Sequence, residues 1–292
     1  MGVNVERIPG PADDGGVSAA SLPYTMLLLL AELAVGSLIM VVIFDRRGQV
    51  TPGYVKACAL TLVPLAVFAM WTFLVISPTA DVEGYELADG WYRPFGVLFA
   101  LFLAGGLGHM VFAMLGDRRR AIQVGAAGSV AGVASIVILG LFIAPPVWSP
   151  ALAVLSVLAS TAVLGGSLMA MTWGHWYLTS GRLPKEPMEE MAIVVLAALV
   201  LQAVLVLIGT FAPARAVPLS DGIGVSLGEN PAFWLRVGVG LLFPIGVTWL
   251  AFRAAQIRGM MSATGLLYIA LGAVLAGEVL ARGLLFSTGH AV

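Results

Sequence analysis

Two charges stand inside the last apolar run of the chain, residues 265–286, GLLYIALGAVLAGEVLARGLLF, and they are Glu278 and Arg282. The run is long enough to cross a bilayer, and a carboxylate or guanidinium in hydrocarbon costs at least ~2.5 kcal/mol on the insertion scale. Such groups face protein or water, and by default they mark a functional position. Their i, i+4 spacing with the acid first is the favourable order for a helical ion pair. A third charge, Glu32, lies near the middle of the first apolar run, in LLLLAELAVGSLIM. At that depth it is paired, protonated or beside a hydrated cavity, either as a hydrogen-bonding group between helices or as a proton-exchanging one.

Histidine is the other intramembrane polar type. His109, in GGLGHMVF, sits about two turns from the end of the third run, and His175, in MTWGHWYL, within a turn of the end of the fifth. Two imidazoles at similar depth could be axial ligands of a b-type haem. Four-helix haem cytochromes use two such pairs, so hydrogen bonding near the interface is the plainer reading. Trp173, Trp176 and Tyr177 then suit an aromatic belt at the headgroup level. No G-x-x-x-x-G-K-[ST], H-E-x-x-H or G-x-S-x-G motif occurs, so no catalytic residue and no metal site are assigned.

The elements that must hold these residues follow from composition. Of 292 residues, 60% are hydrophobic and 11% charged, against about 25% charged in soluble domains. The expected fold class is therefore all-α, a polytopic membrane protein with about eight transmembrane helices. Expected spans are 22–44, 54–76, 94–115, 121–144, 150–178, 191–212, 232–252 and 261–286, each near the 20 residues that cross ~30 Å of hydrocarbon. Around them, residues 1–20 read as a polar tail, 21–288 as one transmembrane bundle, and 289–292 as a short carboxyl tail. Pro64 and Pro244 are expected to kink their spans. Gly125, Gly128 and Gly132 share a face of the fourth span as a packing seam needs.

Ten of the 15 Lys and Arg residues fall in alternate connections: Arg46, Arg47, Lys56, Arg118, Arg119, Arg120, Arg182, Lys185, Arg253 and Arg258. The positive-inside rule makes that side cytoplasmic and puts both termini outside. A net charge of −1 with no basic stripe argues against nucleic acid, and the single Cys58 excludes a disulfide framework or a cysteine-ligated cluster within the chain.

A family resemblance enters at YIALGAVLAGEVLARGLLF, residues 268–286. It resembles the last helix of the membrane-anchor, quinol-handling subunits of the dimethyl sulfoxide reductase and polysulfide reductase type, with Gly277, Glu278, Arg282 and Phe286 in matching places. The preceding FWLRVGVGLLFPIGVTWLA is similar to that family's seventh helix, entered through Trp234 and Arg236. The first span is more weakly similar, Glu32 standing where Gln is more usual. The GHWYL segment and the loop before the sixth span match nothing in the family. The resemblance implies an inner-membrane subunit that exchanges electrons and protons between menaquinone or ubiquinone and an iron–sulfur subunit, which serves a molybdenum-type catalytic subunit. It implies no haem in the anchor itself. Glu278 and Arg282 would shape the quinone pocket near the outer ends of the spans, and Glu32 would offer a proton route. A b-haem cytochrome using His109 and His175, and a transporter or assembly factor, are the alternatives.

Overall fold

The structure, a computed structural model, describes residues 20–82, 84–180, 183–214 and 227–292. The amino tail up to residue 19, Arg182, Glu83 and most of the loop after the sixth span lie outside the described residues. Among the described residues, eight helices are long and apolar enough to cross a membrane. The protein is an integral, multi-pass membrane protein.

The spans are α1 (Leu22–Arg46), α2 (Pro52–Val75), α3 (Tyr92–Met114), α4 (Arg118–Phe142), α5 (Pro150–Ser180), α6 (Glu186–Phe211), a composite seventh made of α7 (Pro231–Val237) and α8 (Phe243–Gln256), and α9 (Met260–Thr288). Several start on recognisable signals. Pro lies in the first turn of α1, α2, α6 and α7, where its missing N–H removes no helical bond. Thr51, Asp117 and Asn230 cap α2, α4 and α7 by accepting backbone N–H bonds. The sixth span begins earlier than its apolar run, because Glu186 and Glu189 sit favourably in the first turn of α6. Lys185 bridges Glu189 at 2.7 Å and donates to the Gln256 carbonyl at 2.9 Å, tying this turn to the end of α8.

The two ends of the described chain meet on one side of the bundle. Tyr24 at the start of α1 lies 6.3 Å, ring to ring, from Phe286 near the end of α9. The acidic connection after α2 folds over this end as a two-residue hairpin, with Asp81 opposite Glu86 and Val82 opposite Tyr85. Gly84 turns it with φ of 88°. Tyr85 is buried, donates to the Ile143 carbonyl, and stacks edge-on with Phe286 at 5.1 Å. Burial pushes its phenol pKa well above the usual value.

Within the bundle, α1 and α5 are the most enclosed spans, and α2, α3 and the seventh span present exposed Leu, Val, Phe and Trp side chains. The glycine seam forms as expected: a Cβ on Gly128 would meet the Gly105 Cα of α3 at 3.0 Å. Pro64 lies within an unbroken α2. Pro244 sits just after a π-helical turn at Gly238–Leu242, the irregularity of the seventh span.

Candidate functional site: a four-charge network across three spans

The π turn explains how the site is assembled. Pro244 has no N–H to give the Gly240 carbonyl four residues back, and that carbonyl instead accepts from Arg236 Nη1 at 3.3 Å. Glycine at 240 also lets the seventh span touch α9. A Cβ on Gly240 would lie 2.6 Å from the Gly277 Cα, so the two backbones pass at a separation only glycine allows. Arg236 is thereby brought beside Glu278, one residue past Gly277.

Four charges form the network. Arg236 Nη2 is 3.2 Å from Glu278 Oε1, Arg282 Nη2 is 3.5 Å from Glu278 Oε2, and Arg282 Nη2 also pairs with Glu32 Oε1 of α1. Glu32 and Glu278 are 0% exposed, Arg236 1% and Arg282 4%. Two cations against two anions make the set formally neutral when all are ionised, which is how charges survive at this depth. Gln202 of α6 extends it, its Nε2 donating to Glu278 Oε1 at 2.5 Å and to Ser160 Oγ of α5 at 3.1 Å. At 1.5 Å per residue, Glu32 is about 15 Å into α1 and Arg282 about 9 Å from the end of α9, in the half of the bundle that holds both ends.

The expected i, i+4 pair is present, but it is the longest link. Arg282 approaches Glu32 more closely, and Glu278 approaches Arg236 more closely, so each charge has its nearest partner on another helix. Glu32, Glu278 and Arg282, which stand in two separate runs of sequence, are brought together. Arg236 is visible in the sequence only as part of the Trp-x-Arg resemblance, and Gln202 and Ser160 carry no motif. A lone glutamine in the apolar run IVVLAALVLQAVLVLIG is the signal that could have found the first of these.

A cavity of about 20 Å³, room for about one water, lies against the network. Its lining includes Ser156, Ser160, Gln202, Arg236, Arg282 and the tail residues Ala291 and Val292. Four of these side chains keep a buried polar atom with no partner among the described residues: Ser156 Oγ, Gln202 Oε1, Arg236 Nε and Arg282 Nε. The arrangement can donate to an acceptor oxygen, accept from a hydroxyl and shuttle a proton between carboxylates.

The histidines lie elsewhere and apart. His109 is buried, its Nδ1 is 3.0 Å from the Ala121 carbonyl of α4, and its ring lies against Gly125. His175 is exposed, with Nδ1 3.0 Å from the Tyr268 hydroxyl of α9. Each ring thus has its hydrogen-bonding contact on a different helix, α4 for His109 and α9 for His175. The GHWYL segment is a fastening between spans. Trp173 is not a belt residue: it is fully buried and packs edge-on against Tyr54 at 5.1 Å, because α5 is enclosed here by α2 and α6. Trp176 donates to Thr51 Oγ1 at 3.0 Å. Among the described residues no group of three or more His, Cys, Asp or Glu side chains is placed to hold a metal ion.

No family model matches the chain, and neither a curated protein nor a solved structure matches it. Fold and site geometry therefore place it as an eight-span integral membrane protein with a buried charge network, and no family is identified for it.

Proposed function

We propose that the protein is the quinone-handling integral subunit of an electron-transfer complex in the cytoplasmic (inner) membrane. It exchanges electrons and protons between menaquinone or ubiquinone and an iron–sulfur partner, which serves a molybdenum-type catalytic subunit. The observation that carries this reading is the neutral network of Glu32, Arg282, Glu278 and Arg236, beside a cavity whose lining side chains retain unpartnered donors and an acceptor. Structural ion pairs are satisfied internally; this set has hydrogen-bonding capacity left over.

In the direction of quinol oxidation, each quinol loses two electrons to the partner and two protons to protein groups or water. Arginine N–H groups hold the quinone oxygens, Gln202 accepts from a quinol hydroxyl, and Glu278 and Glu32 take the protons. In the reverse direction the same groups supply them. The resemblance of residues 268–286 to quinol-handling anchors supports the same assignment.

The test has two parts. Purification from native membranes should yield an iron–sulfur partner, identified by mass spectrometry and by its visible spectrum. Turnover with a quinol analogue, normalised to assembled complex, should fall in Glu278→Gln, which keeps volume and hydrogen bonding while removing the charge. Wild-type turnover in that variant, or a preparation with no iron–sulfur partner, defeats the proposal.

A further inference from the structure

The cavity beside the network is too small for the ligand just proposed. An apolar cavity of about 150 Å³ is what it takes to admit a benzene ring, and this one measures about 20 Å³. What fills the remaining space is the chain itself. Helix α9 ends at Thr288, Gly289 adopts the left-handed conformation with φ of 71°, and the following residues turn back onto the bundle. Ala291 and Val292 are buried, at 8% and 5% exposure, and both line the cavity with Gln202, Arg236 and Arg282.

The seat for this strap is built into α6. Gly209 faces the Ala291 carbonyl so closely that any Cβ there would collide with it. Yet the strap is weakly held. Among the described residues His290 bonds only to Thr288 beside it, and Ala291 and Val292 make no hydrogen bond to the helices. Apolar contact alone retains them, and segments of that kind open at low free-energy cost.

We propose that the trough between α6 and α9 now filled by residues 290–292 is the seat of the quinone head group, and that the strap pivots at Gly289 to admit it. This rests on the quinone reading above. With the strap out, the ring occupies the apolar space against Leu205, Val206 and Leu285, its oxygens facing Arg236, Arg282 and Gln202. Strap and ligand compete for one surface, so ligand binding shifts the strap outward by mass action.

Two variants test this. Ala291→Cys, labelled with a maleimide, should react slowly in the free protein and on the order of tenfold faster with a short-chain quinone analogue bound, native Cys58 being buried and serving as background. Gly209→Val should evict the strap, making the same cysteine react fast without ligand and tightening the analogue's apparent affinity, because the closed state no longer reduces it. Binding is followed separately by quenching of tryptophan fluorescence. Analogue binding with unchanged labelling of Ala291→Cys overturns the strap and leaves the quinone reading standing. Absence of binding to both the unmodified protein and Gly209→Val overturns the two together.

Discussion

The two halves of the bundle both bury polar side chains, and they use them differently. In the half that holds the chain ends, Glu32, Glu278, Arg236 and Arg282 bond across three spans and leave spare donors and an acceptor around a shared cavity. In the half that carries the basic connections, Tyr54 donates to the Met169 carbonyl at 3.0 Å, Trp176 to Thr51, and His109 pairs with the Ala121 carbonyl. Unpartnered atoms occur there too, on His109 Nε2 and Trp173 Nε1, but neither side chain lines the cavity of that half, which lies among Asp45, Pro52, Val55, Ala113, Gly116, Arg118 and Ala121. An unsatisfied buried group thus points to a ligand when several converge on one space, and to packing compromise when it stands alone.

The largest expected effect breaks the network side. Arg282→Leu strands Glu32 and weakens the hold on Glu278, so we expect a loss of roughly 3–5 kcal/mol, read as a fall in folded yield and in the thermal midpoint in detergent. Partner choice sharpens this. The double variant Glu32→Gln with Arg282→Gln should recover more stability than Glu278→Gln with Arg282→Gln, because the first leaves Arg236 paired with Glu278 and the second leaves Glu32 and Arg236 without their partners. Equal recovery would mean that the helical i, i+4 pair dominates after all.

Next in size is the glycine contact that positions Arg236. Gly277→Leu forces the seventh span away from α9, with an expected cost of about 1–3 kcal/mol and a loss of quinol-dependent turnover larger than the loss of assembled complex. Turnover that tracks assembly would separate this contact from the site.

Smaller changes are expected on the basic side. His109→Ala should cost about 1–3 kcal/mol through a lost hydrogen bond and a small void, and His175→Ala, half of an exposed hydrogen bond, under about 1 kcal/mol. Both should assemble with an unchanged reduced-minus-oxidised spectrum. Loss of a b-type band in either would favour the haem alternative and invert the comparison. A comparably small effect lies in the cap over the network: Tyr85→Phe removes the bond to Ile143 and should lower stability by about 1 kcal/mol, measured by the same melt.

Much of the architecture is legible in the amino-acid sequence. Eight apolar runs near 20 residues, without the polar–apolar alternation of barrel strands, satisfy their backbone polar groups in hydrocarbon as helices. Glu32, Glu278 and Arg282 are conspicuous for the same reason: a charge in such a run is costly enough to need an explanation. The basic connections separate one side of the bundle from the other, and the glycines of α4 announce a close seam.

Pairing is decided by tertiary structure. Sequence spacing exposes only neighbours on one helix, and so it favours the link between Glu278 and Arg282, whereas the shorter links run to Arg236 and Glu32 through the placement of two other spans. Arg236 stands out in the sequence only through the Trp-x-Arg resemblance, which carries no pairing; the π turn and the Gly240–Gly277 contact bring it beside Glu278. Trp173 reads as a headgroup anchor until α5 proves to be enclosed. Periodicity within one helix specifies which residues share a face; which faces meet depends on how eight such helices fill space together, and that is a property of the packed bundle.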